Sequence, residues 1–428
     1  MMKKIALAAK LVTGLALCFP TFAKSNPIFS DLPPHSRQIV STTIQTSTYF
    51  AEPPQTFLIK REFLESSKSK LKKGDKQLQK ALQDLVAQAE KALQSGPYSV
   101  TYKSKVPPSG DKHDYMSVGP YWWPDSTKAD RLPYIRKDGQ VNPERFSIKD
   151  ADYHGSLCRD VFRLSLAWYF TGETKYSEHA AKLLRTWFLD NETRMNPNLN
   201  FGQAIPGRTN GRGIGIIDTR ALAVLIDGVQ ILKNSKSLPN AEYQGIQDWY
   251  KAFLIWMRTS PIGLDEADEH NNHGTWYDVQ TVSMALFTGQ RDLAKEILEQ
   301  QTKKRISTQL DTSGAQPHEL ARTVSWNYST MNLQGFFQLA DLGDNVGVDL
   351  WNYVSPDGKS IKSALKWMLP FAQKKKAWAH QQIKPMQVDG FFRIAKSVSK
   401  KYPDLDLTGI QGEEDQENSL LLLTNANL

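Results

Sequence analysis

Apolar positions recur at helical spacing along most of the chain. Across 71–93, Leu78, Leu82, Leu85 and Ala89 fall on one face of an otherwise charged rod, the 3.6-residue period of an amphipathic helix. The same pattern predicts helices over 157–170, 176–189, 221–232, 241–258, 293–304, 329–342 and 361–373. Phe170-Thr171-Gly172-Glu173 and Phe287-Thr288-Gly289-Gln290 each sit between two such runs. Each reads as a helix, a glycine C-cap and a returning helix, the αα-hairpin from which toroids and solenoids are built. Period-two alternation is scarce and no strand–helix alternation recurs, which argues against a doubly wound sheet or a β/α barrel. Between 97 and 143 runs a long irregular stretch rich in Pro, Gly, Asp and aromatic residues. So long a non-helical segment within a compact protein is usually functional.

The chain opens with a different signal. Lys3 and Lys4 precede the mostly apolar 5–17, and Thr21-Phe22-Ala23 offers small residues at a cleavage site. The apolar run is short for a bilayer-spanning helix, so 1–23 is expected to be an export signal. Residues 24–428 are then expected to form one large all-α domain, an α/α toroid or incomplete barrel of helical hairpins, exported to the periplasm or beyond. No later segment is long and apolar enough to suggest a membrane span. Cys18 would leave with the signal, and the single remaining Cys158 cannot form an internal disulfide. The fold must therefore be held by its core. The formal net charge of +8 fits a polyanionic partner, and export favours an acidic polysaccharide over nucleic acid.

Two polar clusters carry candidate chemistry. The first is 269–278, containing Glu269, His270, Asn271, Asn272, His273, Gly274 and Trp276, which follows a break at Pro261-Ile262-Gly263 and leads into a helical run from Val279. Amides and imidazoles at the mouth of a helix suit an anionic ligand. The second runs from Gln316 through Glu319 and Arg322 to Tyr328. On one continuous helix, residues six apart point in different directions, so only a loop between helices would aim Arg322 and Tyr328 at one ligand. His270-x-x-His273 invites a metal reading, but no HExxH, cysteine pair or calcium-loop spacing accompanies it. No metal and no cofactor is expected. There is no G-x-S-x-G elbow and no phosphate-binding glycine loop; 211–215 is glycine-rich without that spacing.

Five ordered blocks resemble the alginate-lyase domain family of polysaccharide lyases. They are 113–125 with its Tyr121-Trp122-Trp123, 138–144, 211–220, the Asn271-Asn272-His273-Gly274-x-Trp276 block, and Glu319-Leu320-x-Arg322-Thr323 through Tyr328. The similarity spans roughly 60–380. The resemblance implies an all-α toroid and an enzyme that cleaves uronate polymers. Carried over by position, Asn272 and His273 match the pair that engages the uronate carboxylate, Arg322 the arginine beside it, and Tyr328 the catalytic tyrosine. Arg322 and Tyr328 are six residues apart, where the better-known members have seven, which marks a divergent branch whose polymer preference is not inherited. Tyr121, Trp122 and Trp123 are expected to stack on sugar rings. Arg212 and Arg220 are expected to pair with carboxylates at flanking subsites, and Asn271 and Trp276 to contact substrate.

Such a lyase removes the C5 proton beside a carboxylate and expels the sugar on O4. Hydrogen bonds from Asn272, His273 and Arg322 would stabilise the charge that builds on the carboxylate, as an oxyanion hole does. An ordinary tyrosine, with a pKa near 10, is a poor base at neutral pH; Arg322 is expected to lower that of Tyr328. In mannuronate and glucuronate the proton and O4 leave from the same face, so one tyrosine serves both. In guluronate His273 would be the separate base. The expected substrate is thus alginate, preferentially mannuronate-rich, or glucuronan. Two other classes compete: a glycoside hydrolase using Asp114 with Asp218, or Asp265 with Glu269, and a non-catalytic binder of acidic polysaccharide.

Overall fold

The computed structural model describes residues 54–412 and 416–426; the expected export signal lies outside them. After α1 (Arg61–Lys72), Gly74 turns the chain at positive φ and Asp75 caps α2 (Lys76–Ala92) by accepting from the Leu78 N–H. The helix expected from 71 therefore begins five residues later, because that turn interrupts the periodic run. The irregular 97–143 segment carries three short strands, β1 (Met116–Val118), β2 (Trp122–Trp123) and β3 (Ile135–Arg136). Helices α3 (Asp150–Thr171) and α4 (Thr174–Leu184) form the first predicted hairpin, with Gly172 in the left-handed conformation between them. A π-helical turn, Arg185–Leu189, completes α4. Strand β4 (Phe201–Ala204) follows and pairs in parallel with β1, while β2 pairs antiparallel with β3.

The remaining helices are α5 (Leu222–Leu232), α6 (Asn240–Thr259), α7 (Pro261–Ala267), α8 (Asn272–Phe287), α9 (Arg291–Glu296), α10 (Lys303–Gln309), α11 (Pro317–Leu320), α12 (Ser325–Asp344), α13 (Ile361–Ala372), α14 (Asp389–Val398) and α15 (Gln416–Thr424). They divide by burial. Nearly all of α5 and of α8 is buried, whereas α2, α4, α13 and α14 bury one stripe. A helix buried on every side belongs inside, and an amphipathic one lies across it. The inner helices pack in sequence, α3 on α5, α5 on α8 and α8 on α12. The outer course then closes, with α12 touching α14, α14 touching α15, and α15 lying on α1 and α2. This is the expected all-α toroid of helical hairpins.

Two expectations are corrected at the α7–α8 corner. The break expected at 261–263 falls at Ser260, which ends α6 and caps α7; Pro261 is the first residue of α7, a position where its missing N–H costs nothing. The helix expected from Val279 begins at Asn272, because its polar first turns bond to neighbouring elements instead of marking a loop. Gly274 lets α8 start there, since a Cβ would run into the Arg305 guanidinium and the Glu269 carbonyl.

Candidate active site

The site is built from three segments. In the first, Asn271 is the N-cap of α8: its side-chain oxygen accepts the His273 N–H at 2.8 Å, and its amide donates to Glu269 at 2.9 Å. Capping takes up one of the orphan donors of the helix and fixes the direction of the first turn. His273 Nδ1 then meets Glu266 Oε1 on α7 at 2.8 Å. Glu266 is 1 % exposed, and burial pushes its pKa up against the opposing effect of His273. When Glu266 is ionised, Nδ1 is the donor and Nε2 is left as the acceptor on the other edge of the ring.

Asn272 is fully buried. Its backbone N–H and its side-chain amide donate to the two oxygens of Glu319, at 2.6 and 2.7 Å, while its own Oδ1 has no partner among the described residues. Asn272 thus ties the start of α8 to α11. Burial raises the Glu319 pKa; the two Asn272 bonds, Arg322 and His273 pull it back.

Three residues after Glu319, Arg322 lies in the turn between α11 and α12, and Tyr328 lies in the first turn of α12. That break in the helix brings the two together: the guanidinium stands 3.8 Å from the centre of the Tyr328 ring, within cation–π range. Arg322 is held in a fork by Asp138, at 3.1 and 2.7 Å, and Asp138 also accepts from the Thr323 backbone and hydroxyl. Burial alone would raise the Asp138 pKa, but the Arg322 and Thr323 bonds outweigh it and hold the carboxyl well below the usual range. The Tyr328 hydroxyl donates to that of Tyr121 at 2.7 Å. The expectation that Arg322 lowers the Tyr328 pKa is met in direction and overturned in outcome. Burial is the larger effect, the Tyr121 bond adds to it, and the phenol is pushed well above its usual range. In the free protein Tyr328 is neutral.

The third segment flanks this centre. Trp122 and Trp123 are both partly exposed, with Arg208 facing the Trp122 ring at 5.1 Å and Lys137 the Trp123 ring at 5.2 Å. Arg212 is fixed by the Gln203 carbonyl and side chain at 3.1 and 3.0 Å and also faces Trp122. Gln203 adopts a positive φ of 48° and donates to Asp218. Trp276 is buried and Arg220 lies 5.9 Å from its ring centre. Tyr121 lines a recess of about 210 Å³, which adjoins a larger cavity of about 390 Å³ lined by Arg220 and Trp276.

The structure thus brings Tyr328, Arg322 and Tyr121 together and joins Asn272 and His273 to them through Glu319. Arg220 and Trp276 stand off in the cavity. Sequence reasoning missed Glu266, Glu319 as the Asn272 partner, and Asp138 as the Arg322 partner. Asp138 and Glu319 lie inside quoted blocks, whereas nothing local marked Glu266.

The carboxylates proposed for a hydrolase are otherwise engaged. Asp114 accepts from Ser109, Asn196 and Asn198, and Asp218 from Tyr115, Ser117 and Gln203. Asp265 accepts from the Gly213 backbone and Glu269 from Asn271. Among the described residues, no three His, Cys, Asp or Glu side chains gather as a metal-binding group; His270 faces His318 instead.

Known proteins share this fold and sequence family. The alginate lyase family model matches residues 99–378. The crystal structure of an alginate lyase from Bacteroides ovatus superposes with a TM-score of 0.83 at 38 % identity, over 87 % of this chain and 99 % of that one. Alginate lyase A1-III from Sphingomonas species A1 shares the fold, with a TM-score of 0.58 at 16 % identity over 87 % of this chain and 96 % of that one. A variant of A1-III complexed with a tetrasaccharide matches similarly, at 0.56 and 16 % over 84 % and 93 %. No curated protein matches in sequence. The chain belongs to the alginate lyase family and is a polysaccharide lyase.

Proposed function

We propose that the protein cleaves a 1,4-linked polyuronate, alginate or glucuronan, by β-elimination at Tyr328. The observation that carries this reading is the Tyr328 hydroxyl, bonded to Tyr121 at 2.7 Å while Arg322 covers its ring at 3.8 Å. The C5–H bond breaks and its proton passes to an oxygen base. The electron pair forms the C4–C5 double bond, the C4–O4 bond breaks, and O4 leaves with a proton. A neutral phenol must give up its own proton as it takes the one from C5; the Tyr121 hydroxyl, already its acceptor, takes that proton while passing its own to the departing O4, so the net transfer is one proton from C5 to O4 and both phenols end neutral. Arg322 supplies positive charge where the carboxylate gathers charge, and His273, once protonated, donates to it from Nε2, so no step is routed through a metal ion. Asn272 and Glu319 act by position, locking the His273 turn to the Arg322 turn.

With one tyrosine pair on one side of the site, elimination of a proton and O4 from the same face is favoured, as in mannuronate and glucuronate. Ultraviolet absorbance of the new double bond, followed in parallel on polymannuronate, polyguluronate and glucuronan, tests this. Polymannuronate or glucuronan is expected to react fastest; strong activity confined to polyguluronate overturns the preference. Reducing ends released without absorbance would establish hydrolysis instead. Residues 1–23 carry the features of an export signal, which supports a periplasmic or extracellular location, where an acidic polysaccharide would be met.

A further inference from the structure

The first turn of α12 carries Tyr328 but does not cap itself. Val324 stands at the N-cap position and has no side-chain oxygen to offer. The helix therefore opens on orphan N–H groups, and these are met by the segment between α13 and α14. The Ser325 N–H donates to the Gln381 carbonyl at 3.2 Å, and the Trp326 N–H to the side-chain oxygen of Gln382 at 3.1 Å. The Gln382 amide nitrogen donates in turn to Asn327 Oδ1 at 2.8 Å. One glutamine thus takes the place of a capping residue from 56 residues away, and also holds the residue just before Tyr328.

The backbone around Gln382 is fixed independently of that side chain. Val324 and Gln382 form an antiparallel bridge, and the Ile383 N–H donates to the Thr323 carbonyl at 2.9 Å. Trp378 Nε1 donates to the Ser325 hydroxyl at 2.9 Å, and that hydroxyl donates to the Gln381 carbonyl at 2.6 Å. Trp326 Nε1 reaches the Gln387 carbonyl at 2.7 Å, and the Trp326 and Trp378 rings meet edge to face at 5.1 Å. Asp138 holds Thr323 from another part of the chain. Side chains reach about 5–6 Å from a helix axis, so turning the first turn by roughly ten degrees moves their tips by about 1 Å. A displacement of that size at a reacting group can cost about a hundredfold in rate.

We propose that Gln382 is a positioning residue for the reaction, a remote cap that sets the angle at which Tyr328 meets Tyr121 and Arg322. It acts through Trp326 and Asn327 rather than on the substrate. The proposal rests on the assignment of Tyr328 above, so the kinetics are paired with a readout that needs no turnover.

Unsaturated product is followed by ultraviolet absorbance for the wild type, Gln382→Met, Gln382→Glu and Gln381→Ala. Met keeps the length of the side chain and removes both polar contacts, and kcat is expected to fall about 10- to 100-fold with KM within about twofold. Glu still accepts from the Trp326 N–H, and Asn327 can turn its amide to donate to the second oxygen, so kcat is expected within about threefold of wild type. Gln381 contributes its carbonyl, not its side chain, so its Ala variant is expected to keep the wild-type kcat. Gln382→Ala, which admits water to the Trp326 N–H, replaces the Met variant should that fail to fold, with the same loss expected. A Met or Ala variant within about twofold of wild-type kcat, or a Glu variant as slow as Met, overturns the proposal.

A fluorinated tyrosine placed at 328 alone reads the ring directly by fluorine NMR. Its resonance is expected to shift or broaden in Gln382→Met and to return in Gln382→Glu; an unchanged resonance in the Met variant overturns the proposal. If the wild type forms no unsaturated product while the resonance still depends on Gln382, the reaction fails and the positioning stands.

Discussion

Replacing Glu266 by Gln separates the charge behind His273 from the packing around it. Glu266 is 1 % exposed and accepts from His273 Nδ1 at 2.8 Å, and its second oxygen has no partner among the described residues. The substitution keeps the shape and removes the charge. A hydrogen bond to a charged group contributes about 1.5–3 kcal/mol, roughly twice a neutral one. At about 1.4 kcal/mol per tenfold in rate, losing that orientation and charge support lowers kcat/KM about 10- to 100-fold.

Stability responds differently. Burial raises the Glu266 pKa above its unfolded value. Its contribution is therefore fully present below the unfolded carboxylate pKa, near 4.3, and is lost as pH rises through the folded one. At neutral pH the Gln variant escapes that loss but adds a buried amide donor, and the two effects offset to within about 1 kcal/mol. The assay is kcat/KM from ultraviolet absorbance beside Tm across pH 5 to 8. A kcat/KM within about twofold of wild type, or a loss that follows a falling Tm, would remove Glu266 as the support of His273.

Three further outcomes follow from the same geometry. Asp138→Asn releases Arg322 from its fork, so kcat/KM is expected to fall about tenfold and stability by about 1–3 kcal/mol at pH 7. Because the folded Asp138 pKa is depressed, the stability deficit should shrink as pH falls below the unfolded value, near 3.9; a pH-independent deficit in denaturant titrations contradicts this. Gly274→Ala places a methyl against Arg305 and the Glu269 carbonyl and is expected to destabilise by about 2–4 kcal/mol, read from the shift in denaturation midpoint. Tyr121→Phe removes the acceptor of the Tyr328 hydroxyl and is expected to lower kcat about 10- to 100-fold; an unchanged kcat removes Tyr121 from the proton route.

The outer helices were legible in the sequence because each shows one apolar stripe to the core, as Leu78, Leu85 and Ala89 do on α2. The inner helix α8 was not legible at its start. Asn272, Thr275 and Asp278 are polar but buried, paired with Glu319, Gln309 and Arg305 from distant segments, and a local pattern cannot tell a paired polar core from a loop. The amphipathic α14, with Phe391, Ile394 and Val398 buried, was readable and was missed. Tyr328 and Arg322 came from family resemblance, since their contact depends on the turn between α11 and α12. The raised Tyr328 pKa, like the Asp138–Arg322 pair across 184 residues, belongs to the assembled barrel and is absent from any local window.

The most direct test is ultraviolet absorbance over time with polymannuronate and glucuronan, comparing the wild type with Tyr328→Phe of matching circular dichroism and Tm. A steady rise is expected with the wild type on at least one polymer, and a loss of at least about a thousandfold in the variant. A variant that keeps eliminating within about tenfold of wild type would contradict the assignment of Tyr328 as the proton-transferring group.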